Sequence, residues 1–143
     1  MEALDMIDNS KIRLAFRAKF LSGTSPLFSE GDCAFEGQSF NPQGKTLWLR
    51  ETLLPINGNA ATDHDERLLA IMQYDLFIPH GTGTETLDAK LKDLADLFEP
   101  SEEFPAYSGV VCAVDSVDPT KLDTDNPPWD SKGIRITFRA YNG

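Results

Sequence analysis

The segment His80-Gly81-Thr82-Gly83-Thr84 comes nearest to a recognisable chemical site, because a strand running through glycines into a helix start can turn backbone N–H groups on an anion. It lacks the third glycine of a dinucleotide fingerprint and the Lys-Ser/Thr of a P-loop, so the reading is turn and cap, with Thr82 as N-cap and Glu85 as its reciprocal partner. His64 lies among Asp63, Asp65 and Glu66, residue types that ligate metals or orient a base. Adjacent side chains do not converge by spacing alone, and the other histidine, His80, belongs to a different turn. Asp115, Asp118, Asp123, Asp125 and Asp130 form a second acidic group without the fixed alternation and glycine of an EF-hand, which leaves weak divalent binding at most. Cys33 and Cys112 stand far apart with no Cys-x-x-Cys and no histidine beside them. Cys33 is expected in a loop as a free thiol, Cys112 inside an apolar strand as a small hydrophobe. No Gly-x-Ser-x-Gly elbow is present. The expectation is no enzyme, no cofactor and no metal.

Recognition chemistry is better represented. Trp129 follows Pro127-Pro128 at the entrance to the last strand, where a large amphipathic ring either seals the sheet edge or anchors a partner. Trp48 lies inside a strand and divides in the same way between internal packing and interface. Without a convergent catalytic set, an assembly or adaptor role is favoured.

These side chains need a frame, and the stretch from Leu68 to Phe98 supplies its centre. Met72, Tyr74, Leu76 and Ile78 fall on one side at period two while Gln73 and Asp75 face water, a half-buried strand that Pro79 ends. After the glycine turn, Leu87, Leu91, Leu94 and Phe98 line one helical face. Met1 to Leu21 reads as a second amphipathic helix with Leu4, Ile7, Leu14, Ala18 and Leu21 as its principal face, widened by Ile12, Phe16 and Phe20. Thr46 to Pro55 alternates as a strand whose buried side the pattern leaves open. Gly109 to Val117 is a nearly continuous apolar strand covered on both faces, and Ile134 to Tyr141 closes the domain with Arg135, Thr137 and Arg139 outward.

The expected fold is a single α+β domain over residues 1–143. It has two layers, a mostly antiparallel four-stranded sheet with helices packed on one face, in the order helix-strand-strand-helix-strand-strand. Residues 22–45 are an irregular segment pinned by Phe28, Phe35 and Phe40, and residues 56–67 and 118–133 are long polar loops.

The chain has 143 residues, 41% of them hydrophobic, which is globular and long enough for one core. Its formal charge of -10 opposes nucleic acid and anionic membranes. No leader and no apolar run long enough to span a bilayer is seen, so synthesis in the cytosol is expected.

The segment Phe35-Glu36-Gly37-Gln38-Ser39-Phe40-Asn41-Pro42, then Trp48-Leu49-Arg50, Ile78-Pro79 followed by Gly81-Thr82-Gly83, and finally Trp129 with Ile134 to Tyr141 resemble, in order and spacing, the tail-terminator-like minor tail proteins of long-tailed bacteriophages and prophages. The resemblance covers most of the chain. It implies a small α/β subunit that forms a ring, usually a hexamer, at the head-proximal end of the tail tube. Such a ring ends tube polymerisation and offers a surface to head-completion proteins. The implied location is the virion tail, reached from the host cytoplasm during assembly. The family has no catalytic residues to transfer. The expected partners are tail tube protein, head-completion proteins and further copies of the chain. Candidate interface residues are Trp48, Arg50, His64, Asp65, Trp129, Arg135 and Arg139, with the loops Asn57 to Arg67 and Asp118 to Asp130. The alternative is a head-tail connector, a neck component or another protein-binding assembly module.

Overall fold

A computed structural model describes residues 7–22, 26–57 and 67–142. Helix α1 (Asn9–Leu21) is followed by a single 3-10 turn, Glu30–Asp32, and strands β1 (Cys33–Ala34), β2 (Trp48–Asn57) and β3 (Arg67–Pro79). Helix α2 (Glu85–Ala95) leads into β4 (Glu103–Tyr107), β5 (Val110–Pro119), β6 (Asp123–Asn126) and β7 (Trp129–Asn142).

The four-stranded expectation is wrong. The strands form one seven-stranded mixed sheet, curled into a half-barrel, in the order β1-β2-β3-β7-β5-β4, with β6 also pairing β7. Only β1 runs parallel to its neighbour. The four long strands expected from alternation are there. The three added ones carry no periodic signal of their own: β1 has two residues, β4 holds Pro105, and β6 is Asp-Thr-Asp-Asn. Their pairing is supplied by long neighbours, above all β3 and β7, which stay in register from Arg67↔Tyr141 to Pro79↔Trp129. Accordingly the loop expected over 118–133 contains β6 and the start of β7, and the segment 22–45 contains β1.

The core lies on the inner face of the sheet. Ile12, Phe16 and Phe20 of α1 are buried at helical spacing. Phe16 packs on Phe98, Phe104 and Phe138 with centroids 5.3, 5.2 and 4.6 Å away, while Phe20 meets Phe28, Phe35 and Tyr74. The expected principal face of this helix is therefore corrected in part, since Ile7 and Leu21 do pack half-buried against the core. Leu14 is 55% exposed and Ala18 is exposed, and Leu4 lies outside the described residues. The aromatic row prevails because rings remove more apolar area from water than Leu14 and Ala18 do.

Leu87, Leu91 and Leu94 of α2 join the same core. The N-cap position is Thr84, not Thr82, and its side chain makes no capping bond. Gly81 and Gly83 take φ of 83° and 95°, a region that L-residues avoid, and carry the chain one further turn. Thr82 Oγ1 donates instead to the Pro79 carbonyl at 2.6 Å.

Strand β2 buries its Leu49, Glu51 and Leu53 side. The fully buried Glu51 carboxylate is held by two bonds from Arg17, Nε at 3.0 Å and Nη2 at 2.6 Å, and the same guanidinium lies 4.1 Å from the Phe35 ring centroid. Cys33 is corrected from loop to strand, where it is buried and its Sγ donates to the Ser29 carbonyl at 3.4 Å. Burial pushes both the Cys33 and the Cys112 thiols up to about 12.

Candidate interaction face

Alternation that sends Leu49, Glu51 and Leu53 inward sends Trp48, Arg50, Thr52 and Leu54 outward. Register aligns them with Phe77, Asp75, Gln73 and Ile71 of β3, and Gln73, Ile71 and Leu69 are in turn aligned with Arg135, Thr137 and Arg139 of β7. Both helices place their buried residues in the inner core. The outer face is thus a lateral surface of three long strands on which no described helix packs.

One end of it is aromatic. Trp48 stacks on Phe77 with centroids 4.0 Å apart and planes at 9°. Trp129 meets Trp48 edge-on at 5.7 Å and 85°, and Phe40 leans on it at 5.0 Å. The Arg50 guanidinium stands 4.9 Å from the Phe77 centroid and donates to Asp75 Oδ2 at 3.2 Å. Trp48 itself is buried, and its Nε1 has no acceptor among the described residues. The accessible parts of the cluster are Trp129 and Phe40, both half-buried, and Arg50, with 53% of its side chain exposed.

The middle is a polar chain. Gln73 Nε2 donates to both Asp75 oxygens, at 3.0 and 3.1 Å, and Arg135 Nε donates to Gln73 Oε1 at 3.0 Å. Asp75, expected to face water, is only 6% exposed. Opposite it stands Gly133, where an added Cβ would collide with the Tyr74 carbonyl and lie 2.5 Å from Asp75 Oδ1. The far end is aliphatic, with Leu54 and Ile56 exposed beside half-buried Ile71. Between the middle of the face and β5, a cleft of about 380 Å³ is lined by Ile71, Thr120, Lys121, Arg135 and Thr137, with Asp118 at its side.

Of the candidates from sequence, the fold therefore gathers Trp48, Arg50, Arg135 and Arg139 on one face, with Trp129 against Trp48. Arg139 bonds Asp115 at 3.1 Å. His64 and Asp65 lie outside the described residues, as does most of the loop they occupy. Phe40, Phe77, Asp75 and Gly133 were missed. Odd numbering along β3 marks Asp75 and Phe77 as outward, but nothing in the sequence pairs Gly133 with Asp75.

The histidine turn and the acidic loop prove to be one structure. His80 Nδ1 and Asp130 Oδ1 are 2.7 Å apart, and the Gly81 N–H donates to Asp130 Oδ2 at 3.1 Å. The bond from His80, assisted by that N–H, holds the Asp130 carboxyl below the usual range, so the chain's own carboxylate takes the place of an anion on this turn. Among the described residues no group of three or more His, Cys, Asp or Glu could hold a metal ion. No helix among them is long and apolar enough to cross a membrane.

Comparison with known proteins adds to this geometry. A family model described as phage tail terminator protein matches residues 11–138. A solved structure whose name states no function is 22% identical, with a TM-score of 0.66, covering 94% of this chain and 96% of its own, a likeness that bears on the fold alone. No curated protein matches the chain.

Proposed function

The chain belongs to the phage tail terminator protein family, whose role is structural and lies in tail assembly, and from that premise we propose that it caps the tail tube as a ring and thereby ends tube polymerisation. The ring, a hexamer by family resemblance, also presents a surface to head-completion proteins. The protein acts by contact, without catalysis, in the virion tail and, before that, in the host cytoplasm.

The observation that carries this reading is the uncovered outer face, which has tryptophan and arginine at one end and exposed leucine and isoleucine at the other. Tryptophan and arginine are the residues that most often dominate binding energy at interfaces. The sheet edges are poorly suited to the task. On β2, Leu53 N–H donates to Glu36 Oε1 at 2.8 Å and Pro55 has no N–H to give. On the opposite edge, β4 carries Pro105. Copies therefore meet through faces and loops, not by continuing one sheet into the next.

The test is negative-stain imaging of tails assembled without this protein. Overlong tubes that regain a single length when the wild-type chain is supplied are the expected result. Tubes of normal length that fail only to join heads would replace this reading with a connector or neck role.

A further inference from the structure

We infer that the Arg135 cleft on the outer sheet face receives a carboxylate from the acidic α2 layer of a second copy of this chain. The inference rests on the ring reading above and specifies which two surfaces meet.

The receiving side is cationic in a chain whose formal charge is -10. Arg135 is exposed and spends only its Nε on Gln73, so among the described residues its two terminal nitrogens meet no acceptor. Lys121 stands on the same cleft beside the hydroxyls of Thr120 and Thr137, against the single carboxylate of Asp118. A guanidinium with two free NH2 groups and a lysine within one recess match the donor needs of a carboxylate, and the recess is large enough for an acidic side chain.

The offered side is the opposite layer. From Glu85 to Glu103 the chain carries seven carboxylates against two lysines. Asp88, Asp96 and Glu102 are already bound to Lys132, Lys92 and Lys19 of the same copy. Asp93 and Glu99 are exposed and have no ion pair among the described residues. A closed ring requires two different patches on each subunit, each fitting the other but not itself. A cationic sheet face and an anionic helical layer meet that requirement, and complementary charge fixes the order in which they dock.

A charge swap tests this in the full chain, supplied to phage lysates that lack it. Arg135→Glu and Lys121→Glu in the cleft, and Asp93→Lys with Glu99→Lys on the helical layer, should each lower the yield of correct-length tails by roughly tenfold, as for a lost interfacial charge pair. Combining Arg135→Glu and Lys121→Glu with both lysine substitutions restores opposite charge at every contact and should bring the yield back to near wild type. Thermal melting separates loss of contact from loss of fold, and Lys121→Glu covers the case in which Arg135→Glu fails to fold. Wild-type yields from folded Arg135→Glu or Lys121→Glu would overturn the inference. So would a combined variant no better than its parts, which would place the bound carboxylate on the tube protein. If omission of the protein leaves tail length unchanged, the capping role falls instead. The same variants, read by sedimentation of the purified chain, then still decide whether the two surfaces meet.

Discussion

Gly133 stands directly across the β3–β7 ladder from Asp75, and the missing side chain makes room for that carboxylate to lie under Arg50 and Gln73. Any Cβ at Gly133 meets the Tyr74 carbonyl as well, so movement of Asp75 alone cannot relieve it. We predict that Gly133→Ala lowers stability by about 1 to 3 kcal/mol, the range for overpacking. Urea unfolding checks this, and a loss below about 0.5 kcal/mol would mean that the ladder opens at little cost.

The Arg17–Glu51 pair ties α1 to the inner face of β2 with the carboxylate fully buried. Removing one partner leaves an unpaired charge in the core. Arg17→Met should cost about 3 to 5 kcal/mol, whereas Arg17→Met with Glu51→Leu should recover much of that loss, since two well-packed apolar groups need no pairing. Chemical denaturation of the two variants decides the point. Equal loss in both would locate the stabilisation in Arg17's packing on Phe35 instead of in the charge pair.

Asp130 links the start of β7 to the turn after β3 through His80 and Gly81. Its folded pKa lies below the ordinary aspartate value of about 3.9, so the folded state favours the charged form. That contribution is fully present above about pH 4 and is lost as the pH falls through the lower folded value. Asp130→Asn should therefore melt below wild type at pH 7, with the gap narrowing as the pH drops below about 4. A gap that is constant across that range would assign the effect to geometry alone.

Both thiols are buried and their pKa values stand at about 12, so neither supplies thiolate at ordinary pH. An aromatic disulfide reagent at pH 8 should leave the native chain unlabelled and label both cysteines once it is unfolded. Rapid native labelling of Cys33 would show that the short β1 strand opens readily.

These tests fall mostly on features that periodicity did not reveal, and the reason is physical. Alternation places Tyr74 inward and Arg135 outward because β3 and β7 each have one apolar side, and both positions could be read in advance. Strand β6 could not be, because Asp-Thr-Asp-Asn has no apolar side and pairs only because β7 extends past it. In α1, counting apolar positions ranked Leu14 above Phe16, whereas burial goes to the helix face with the larger rings. The outer face was legible in pieces. Trp48, Arg50, Trp129, Arg135 and Arg139 could be singled out by residue type, but their neighbourhood depends on the β2–β3–β7 register, a relation among residues distant in sequence.

Trp48 and Trp129 are the chain's two tryptophans, and their different burial allows one to report on the other's surroundings. Trp48→Ala empties the stack on Phe77 and should cost about 3 to 5 kcal/mol. Trp48→Phe keeps a ring there and removes an indole N–H that is buried without an acceptor among the described residues, which offsets part of the lost contact. We predict a net loss within about 1.5 kcal/mol for Trp48→Phe, in line with shape-tolerant core exchanges. That variant leaves Trp129, half-buried at the rim of the outer face, as the sole indole emitter. If copies or tube subunits cover this face on assembly, water leaves the ring and its emission shifts to shorter wavelength. An unchanged spectrum in tail-bound protein would show that the aromatic end of the sheet stays in solvent, and would move the contact to the helical layer or the loops.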